Sequence, residues 1–565
     1  MRRFYGGSIL TMNSAQPRVE SINVEGEQIV LCGDLAATRA AAPLAEEVDL
    51  AGACLLPGFI DAHHHFSEGA LLTSGVNLHW PAVETVGDIL DRVGEQTRRT
   101  PAGEWILAEG YDERRLRERR APTLDELDAV APQHPVLLVQ FSYHEVVVNT
   151  RAHAVLQLPL ERADPPGGEI DLNRSGRPTG RMIENASAPF YMGAIRSHLE
   201  RDESAYHDCL ARYQQRLFRT GITRVYDPAV SPLMERMLRH AAERGSLHLP
   251  VLMMPSSAEG MFMPPRDRLG GARTGDSNGL LRTGPLKIFM DGGIRLALSM
   301  PFGTALRVGL AGLRRSLARR NFDSLRLAGM TPVHFDLASR CIRSGILFYS
   351  EDEARSLVNA AVQSGMSLAV HAEGNVAIDR SLRVLPPTRA DRPAGVAPNR
   401  IEHFFLPDPD AIPRAAGMGI AAAVQPTIAE WTGGQLLDSG VIGRHLFVPL
   451  RSMLDAGMLL AGSSDAPVVD FDPLRGIRAA VQRKTEDGER LGDGQEITIR
   501  EALEMYTVHA ARSGGLEHET GTIETGKRAD LVVLNADPTT LPTNQLERLS
   551  VQRTVCGGVD VYVAR

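Results

Sequence analysis

Eight short apolar runs, separated by stretches that favour helices, constrain the fold of this chain more than any other feature. Strand candidates that alternate with helices form parallel sheets, and eight of them close into the (β/α)8 or TIM barrel. We therefore predict an α/β fold built on such a barrel. The runs are Leu55–Ala62, Thr223–Asp227, Pro250–Pro255, Leu286–Met290, Ser367–His371, Arg400–Phe405, Ile420–Gln425 and Met458–Ser463.

Both ends of the chain have the pattern of isolated β-structure instead. Short runs such as Gln28–Cys32 and Val559–Val563 are β-prone and are bounded by turn signals. Strands this short cannot bury a face alone, so the two ends should pair with each other. We predict a small β-sandwich domain from residues 1–56 and 510–565. The barrel would then span residues 57–509.

Two segments exceed what a minimal barrel needs. Residues 80–215, approximately, lie between the first and second predicted strands, and residues 296–349 follow the fourth. Structureless loops of this length are uncommon inside a compact domain, so we predict two folded insertions. Together with the loop that carries Met261, Phe262 and Met263, the second insertion would cover the barrel mouth. The resulting pocket would be partly closed and largely apolar.

Composition excludes several classes of protein. The 565 residues include 69 acidic and 61 basic side chains, a formal charge of −8 that argues against nucleic-acid binding. Five cysteines without a CxxC pattern suit a reduced, cytoplasmic protein. We find no signal peptide and no run near the roughly 20 apolar residues of a membrane span. We therefore expect a cytoplasmic protein with a small-molecule substrate and neither a nucleic-acid nor a membrane partner.

The first predicted strand ends in three consecutive histidines. Because a strand alternates its faces, His63 and His65 point to one side and His64 to the other. Two imidazoles that converge after an apolar strand can bind one divalent metal. The alternative is a partly exposed histidine run without a ligand.

Lys287 lies within the apolar fourth run. The chain has only three lysines among its 61 basic residues, and this one is flanked by Leu286 and Ile288. Burial lowers the pKa of a lysine and favours the neutral amine, which can add CO₂ to form a carbamate able to bridge two metals. A structural lysine that reaches toward solvent is the alternative.

Three later runs also end in reactive residues, namely His371, His403 and Asp465. Taken alone, each histidine could be a hydrogen-bonded core residue, and Asp465 could cap the following helix. Reactive groups in a barrel gather at the carboxyl ends of its strands, and five strand ends carry such groups here. The joint pattern favours a metal-dependent active site.

The motifs around these residues carry a family resemblance. The segments PGFIDAHHHF, LKIFMDGG, VHAEGN, RIEHFF, AGSSDAP and GTIETGKRADLVVLNADP resemble the amidohydrolase superfamily, in its YtcJ-like (amidohydrolase 3) branch, which includes N-substituted formamide deformylases. The similarity covers residues 1–295 and 345–565. The chain departs from the branch at VHAEGN, where relatives usually have HAIGD, and after Lys287, where the usual GSRTA is missing.

The resemblance implies one or two divalent ions, with Zn²⁺ as the expected metal. The implied ligands are His63, His65 and Asp465 for one ion and His371 and His403 for a second, bridged by carboxylated Lys287. The implied reaction is hydrolysis of a non-peptide C–N bond in an amide, formamide, carbamate or cyclic imide. Metal-activated hydroxide would attack, with Asp465 as general base and then acid. Homodimers are common among such relatives, so a homodimer is an expectation by analogy.

Substrate contacts are less constrained by the sequence. The candidates are His144 in FSYHEVVVN, Glu373 in VHAEGN, Phe262, and His334 in the second insertion. For both histidines, a structural role is the alternative.

Other functions fit the same pattern. A metal-dependent lyase, decarboxylase or isomerase could use this scaffold, since fold does not fix chemistry. A mononuclear deaminase would not need Lys287, and a non-catalytic binding barrel would not need Asp465.

Overall fold

The two ends of the chain join in one eight-stranded sheet of the computed structural model, which describes residues 1–322, 332–441 and 447–564. Its strands are β1 (Arg2–Leu10), β2 (Arg18–Glu25), β3 (Gln28–Gly33), β4 (Glu46–Asp49), β5 (Cys54–Pro57), β25 (Leu531–Leu534), β26 (Val551–Cys556) and β27 (Val559–Val563). They lie in the order β27-β26-β25-β5-β1-β2-β3, with β4 paired to β1. Strand β5 is parallel to β1 and antiparallel to β25, so it connects the N-terminal and C-terminal contributions.

All eight predicted runs form strands, and these lie in two parallel sheets, except that the start of the first run belongs to β5 of the terminal sheet. The first sheet contains β6 (Phe59–Asp61), β13 (Ile222–Val230), β14 (Val251–Pro255) and β16 (Leu281–Thr283), with a short antiparallel strand β15 (Ser277–Asn278) at its edge. The second contains β17 (Leu286–Phe289), β21 (Leu368–Ala372), β22 (Arg400–His403), β23 (Ala421–Val424) and β24 (Leu460–Gly462), in that order. Every residue of these five strands is buried, which explains why four of them are mainly apolar runs; β22 is the exception, with the buried pair Arg400 and Glu402.

The two parallel sheets are linked at two places, here called seams. At one seam, the Ala62 amide donates to the Gly462 carbonyl at 3.2 Å, which places the end of β6 against β24. At the other, β16 and β17 are consecutive, and the Gly284 amide between them donates to the Met253 carbonyl of β14 at 2.6 Å. The carboxyl ends of the strands from both sheets therefore face a common region.

The first insertion builds a sheet of its own. Its strands are β7 (Val76–Asn77), β8 (Ile106–Tyr111), β9 (Val136–Gln140), β10 (Glu145–Val148), β11 (Gly168–Leu172) and β12 (Pro178–Glu184). They lie in the order β11-β12-β10-β9-β8-β7, and β12 ends beside the start of β10. The insertion also has its own apolar core, which includes Leu78, Ile89, Ile106 and Leu138.

The second insertion contains α9 (Phe302–Arg319) and a three-stranded antiparallel sheet. The strands are β18 (Leu298–Pro301), β19 (Val333–Asp336) and β20 (Cys341–Ser344). Residues 323–331 of this insertion lie outside the described residues. One face of α9 packs on the molecule through Val308 and Gly312, while Leu306 and Leu317 are exposed.

The remaining helices alternate with the strands or lie within the first insertion. They are α1 (Leu35–Ala41), α2 (Phe66–Leu72), α3 (Val86–Thr97), α4 (Leu124–Val130), α5 (Thr150–Val155), α6 (Ala188–Arg201), α7 (Glu203–Arg219), α8 (Pro232–Glu243), α10 (Glu351–Gln363), α11 (Asn375–Val384), α12 (Ala411–Gly417), α13 (Pro426–Asp438), α14 (Leu450–Asp455), α15 (Pro473–Gln482), α16 (Ile499–Met505) and α17 (Val508–Ser513). Short 3-10 turns occur at Arg266–Arg268, Pro538–Thr540 and Thr543–Arg548. None of the described helices combines the length and the apolar character needed to cross a bilayer.

Candidate metal centre and active site

His63 and His65 converge on Asp465 just beyond the ends of β6 and β24. The Nε2 atoms of the two imidazoles lie 3.3 Å and 3.4 Å from Oδ1 of Asp465. The two loops are joined by backbone hydrogen bonds, from the Asp465 amide to the His63 carbonyl and from the His65 amide to the Ala466 carbonyl, each 2.8 Å long. Asp465 adopts a left-handed backbone with φ of 63°, a strained conformation for a residue other than glycine. These contacts hold three possible metal ligands in one place.

His64 points away from this group, as the alternation predicts. Its Nδ1 contacts Asp61 at 3.0 Å and its Nε2 contacts the Tyr213 hydroxyl at 2.9 Å. Asp61 also accepts hydrogen bonds from the amide and hydroxyl of Ser464, so it connects the ends of β6 and β24. His64 therefore has a structural role beside the group.

A buried ion pair orients His63. Its Nδ1 contacts Glu402, which in turn is paired with Arg400 two residues earlier on β22. Burial opposes ionisation of Glu402, but Arg400 and His63 together hold the pKa of the carboxyl well below its usual range. An ionised Glu402 accepts a hydrogen bond from Nδ1–H of His63, which leaves Nε2 of His63 free to act as a ligand. No motif indicated this pair, although two charged side chains at alternate positions of a predicted buried strand were a signal.

A second group lies at the ends of β21 and β22. The ring centroids of His371 and His403 are 4.5 Å apart, and Nε2 of His371 lies 3.9 Å from Oε1 of Glu373. The ligand atoms of these three residues all lie within 4.8 Å of one another. His403 contacts the Gln425 side-chain oxygen through Nδ1 at 3.1 Å, which fixes its ring. His403 also lies next to the first group, with its ring centroid 4.9 Å from that of His63.

Lys287 projects from β17 into the space shared by both groups. Its side chain is fully buried and its Nζ lies 4.6 Å from the Phe289 ring centroid. Burial lowers the pKa of the amine to about 8, against the opposing effect of Glu402 and Asp465. A larger fraction of neutral amine is therefore present near neutral pH than for an exposed lysine.

The chemistry of these residues fits a divalent metal. Within the described parts of the chain, Nε2 of His63, Nζ of Lys287 and Nε2 of His371 are buried without a hydrogen-bond partner. Buried polar atoms normally have partners, and the exceptions call for an explanation such as an ion. All three atoms belong to residues that line the narrow space shared by the two ligand groups. A cation coordinated there would give each of these atoms a partner.

Protonation states also favour metal binding. Burial lowers the pKa of His63 to about 3, that of His403 to about 4, and that of His371 well below the usual range. These imidazoles are therefore neutral at pH 7 and keep the lone pair that a metal requires. Burial opposes ionisation of Asp465, yet its contacts with His65 and His63 hold the pKa of the carboxyl below its usual value.

A cavity of about 700 Å³ opens beside the cluster. Asp465, Glu373 and His144 form part of its wall, and apolar side chains such as Phe405, Ile428 and Phe447 form another part. A separate narrow pocket, lined by Lys287, His371 and His403, leads to the ligand atoms themselves. The arrangement is a polar inner end with an outer chamber lined by apolar side chains and by charged ones such as Arg181 and Arg295.

Three of the four candidate substrate residues lie at or near this cavity. His144 and Glu373 line it, whereas Phe262 is only 2% exposed and packs against Phe289 and the His144 ring. His334 lies elsewhere, exposed on β19 of the three-stranded sheet. Glu184, which no motif indicated as part of the site, is buried and contacts Nδ1 of His144 at 2.6 Å.

Sequence comparisons identify relatives over the whole chain. A sequence model of the amidohydrolase family matches residues 46–562. The N-substituted formamide deformylase of Arthrobacter pascens is 31% identical over 98% of this chain and 97% of its own length. The putative amidohydrolase YtcJ of Bacillus subtilis is 26% identical and covers 99% of both chains.

Solved structures share the fold. An uncharacterized metal-dependent hydrolase from Pyrococcus horikoshii has a TM-score of 0.68 at 21% identity and covers 96% of this chain and 99% of its own. The atrazine chlorohydrolase TrzN from Arthrobacter aurescens, solved with zinc, has a TM-score of 0.52 at 16% identity and covers 99% and 95%. The resemblance predicted from the motifs is confirmed. This chain belongs to the amidohydrolase family and is a hydrolase that acts on C–N bonds.

Proposed function

We propose that this enzyme uses a divalent metal to hydrolyse a non-peptide C–N bond in a small, largely apolar amide, formamide, carbamate or cyclic imide. The observation that carries the proposal is the convergence of two ligand groups and one buried lysine at the inner end of a large cavity. Zn²⁺ is the metal we propose, because imidazole and carboxylate ligands in a buried cluster suit it.

We further propose that the two parallel sheets are halves of one (β/α)8 barrel, closed at both seams. In this arrangement the barrel spans residues 57–509, and residues 1–56 with 510–565 form the separate β domain. The hydrogen bond between Ala62 and Gly462 supports closure at one seam. The proximity of the ligands supports it as well, because strand ends from both sheets contribute to one cluster.

The metal ligands we propose fall into two sets. His63, His65 and Asp465 would hold one ion, and His371 and His403 a second, with Lys287 bridging the two as a carbamate. When bound, the metal would supply Lewis acidity toward a carbonyl oxygen and toward water. Lys287 suits the bridging role because its buried amine has a lowered pKa, and reaction with CO₂ needs the neutral form.

Asp465 is the residue we propose to move the proton. Its carboxylate lies between the inner ligand cluster and the outer cavity, and its lowered pKa keeps it ionised before the reaction. A carboxylate oxygen of Asp465 would accept a proton from water as the new C–O bond forms. The same oxygen would return that proton to the leaving nitrogen as the C–N bond breaks, which balances the reaction.

The cavity and the relatives together narrow the substrate class. Phe405, Phe447 and Ile428 offer apolar surface to an aryl or alkyl group, while the polar end faces the scissile bond. A relative at 31% identity is an N-substituted formamide deformylase. We therefore propose N-substituted formamides and related N-acyl compounds as the first substrates to test.

The test is a panel of N-formyl, N-acyl and carbamate compounds with purified, metal-analysed enzyme, run in water enriched in ¹⁸O. We expect the ¹⁸O label in the carboxylic product of at least one compound, and no turnover after chelation. A metal-dependent lyase, decarboxylase or isomerase would form product without ¹⁸O. That result, or turnover unchanged by complete removal of metal, would contradict the proposed function.

A further inference from the structure

His144 and Glu184 form a hydrogen-bonded pair that the first insertion places at the cavity wall. His144 precedes β10 and Glu184 ends β12, so the two residues are neighbours across adjacent strands. The contact between Nδ1 and Oε2 is 2.6 Å, and the Glu184 side chain is fully buried. The His144 ring centroid lies 5.4 Å from that of His371, so the pair reaches the proposed metal cluster from outside the barrel.

Glu184 is anchored by the loop that follows Lys287. Its Oε1 accepts hydrogen bonds from the amides of Ile294 at 3.0 Å and Arg295 at 3.2 Å. Its backbone is left-handed, with φ of 51°, a strained conformation that the surrounding contacts must maintain. Three nitrogen atoms therefore converge on one buried carboxyl group and hold it in place.

Two glycines make this contact sterically feasible. A Cβ atom on Gly292 would lie 2.4 Å from Oε1 of Glu184, and one on Gly293 would lie 2.6 Å from the His144 ring. The two glycines of the motif MDGG thus have a physical reason in this chain, since only residues without a side chain leave room for His144 and Glu184.

The contacts fix the position of the imidazole proton. The Gly293 amide also lies 3.1 Å from Nδ1 of His144, so this nitrogen faces both a donor and an acceptor. The contact to the Glu184 carboxyl oxygen is the shorter of the two, at 2.6 Å against 3.1 Å. The shorter contact favours the tautomer in which Nδ1 carries the proton and donates to Glu184, while Nε2 keeps its lone pair.

We propose that His144 is a substrate-recognition residue whose Nε2 accepts a hydrogen bond from the N–H of the scissile amide, and that Glu184 holds it in the accepting tautomer. The proposal rests on the proposed C–N hydrolase function and deepens it. It assigns substrate preference to the first insertion: amides that carry an N–H should be favoured over N,N-disubstituted amides of the same shape. A buried acceptor that loses its donor is costly, so we expect about a 10- to 100-fold difference in kcat/KM.

The kinetic test uses zinc-loaded enzyme with N-benzylformamide and N-benzyl-N-methylformamide as the matched substrates. We expect wild type to favour the first, His144→Leu to remove the preference, and His144→Gln, which retains an acceptor oxygen, to restore part of it. His240→Gln is the control, because His240 forms a similar pair with Glu203 on the outer helices at 2.9 Å. Metal content should be equal in all four proteins.

A second measurement follows the tautomer and does not depend on turnover. In zinc-loaded protein labelled with ¹⁵N-histidine, the His144 ring should carry its proton on Nδ1. In Glu184→Gln, the side-chain amide would face Nδ1 and donate to it, so the proton should move to Nε2 and the substrate preference should reverse or vanish.

Three outcomes would overturn the inference: wild type without the preference, His144→Leu that keeps it, or a wild-type proton on Nε2. Failure of the proposed function would look different, as neither formamide would be hydrolysed. The dissociation constants of the two formamides, measured by calorimetry, would then test the inference. Wild type should bind N-benzylformamide more tightly than its N-methyl analogue, and His144→Leu should not.

Discussion

Asp465 is the residue on which the proposed proton transfer depends. Asp465→Asn keeps the size of the side chain but removes its ability to accept a proton. We expect kcat to fall by about 10²- to 10⁴-fold while the protein remains folded. Asp391→Asn is the matched control, because Asp391 is exposed and forms a surface ion pair with Arg389. The measurement is kcat at equal metal content, and retention of a tenth of wild-type kcat would contradict the role.

Lys287 yields a prediction about metal stoichiometry. Metal-free wild type, reconstituted with Zn²⁺, should bind two equivalents with bicarbonate present and fewer in CO₂-free buffer, because the carbamate forms only with CO₂. Lys287→Met should not respond to bicarbonate, whereas Lys484→Met, at an exposed position, should behave like wild type. Two tightly bound equivalents in Lys287→Met would show that the lysine is not a bridging ligand.

At this scale, the sequence predicted the polar residues at strand ends but not the residues that support them. The structure brings His63, His65, Lys287, His371, His403 and Asp465 together, and their binding of metal stays a prediction. Glu402 and Glu184 could not be assigned from the sequence. Each acts through a partner more than 30 residues away, and only the folded chain shows which partner that is.

At the scale of elements, strand positions were the most predictable feature. A strand buried on both faces is mostly apolar, and this leaves a short run that the sequence displays directly; β22, with its buried Arg400–Glu402 pair, is the exception. The run at Leu55–Ala62 differs in one respect, since it divides at Gly58 into β5 of the terminal sheet and β6 of a parallel sheet. Hydrophobicity does not distinguish those two sheets, so the division was not foreseen.

The second insertion was less predictable. Its helix α9 presents Leu306 and Leu310 to solvent, although the sequence predicted that the second insertion covers the barrel mouth. Arg315 forms ion pairs with Asp438 at the end of α13 and with Glu489 in a nearby loop, and these pairs attach α9 to both. Periodicity identifies an amphipathic helix but not the surface that it faces.

The loop after β17 allows a test of the contact between insertion and barrel. Gly292→Ala would force Glu184 to move and should destabilise the protein by about 1–3 kcal/mol, as overpacking does. Gly303→Ala is the control, because a Cβ there meets nothing within 4 Å and the residue lies in a helix. It should leave stability unchanged or slightly higher. Equal effects of the two substitutions on urea unfolding would contradict the close contact.

For the whole molecule, buried titratable groups determine how stability depends on pH. Burial raises the pKa of Asp227 to about 7 and that of Glu68 to about 8. The folded state therefore keeps these protons when the unfolded chain has lost them, and stability is lost as pH rises toward 8. His63 and His403 act in the opposite sense, because their lowered pKa values favour the folded state above pH 6.5, approximately, and lose that contribution as pH falls.

Metal-free protein should consequently lose stability between about pH 6.5 and 8, because the buried carboxyl groups that titrate there outnumber Lys287, whose lowered pKa of about 8 acts in the opposite sense. Glu68→Gln should reduce this decline by roughly 1–2 kcal/mol in the free energy of unfolding by urea. Glu25→Gln, at an exposed position on β2, should leave the decline unchanged. An identical slope in wild type and Glu68→Gln would show that Glu68 is ionised in the folded state.

The central claim is that side chains far apart in the sequence form one metal centre, and metal analysis tests it most directly. Protein purified with Zn²⁺ and dialysed extensively should retain at least one equivalent per chain by mass spectrometry. The double substitution His63→Asn and His65→Asn should remove one equivalent, and His371→Asn with His403→Asn should weaken the other, while the far-UV circular dichroism stays unchanged. Folded wild type that retains no metal, or variants that retain as much as wild type, would contradict the account.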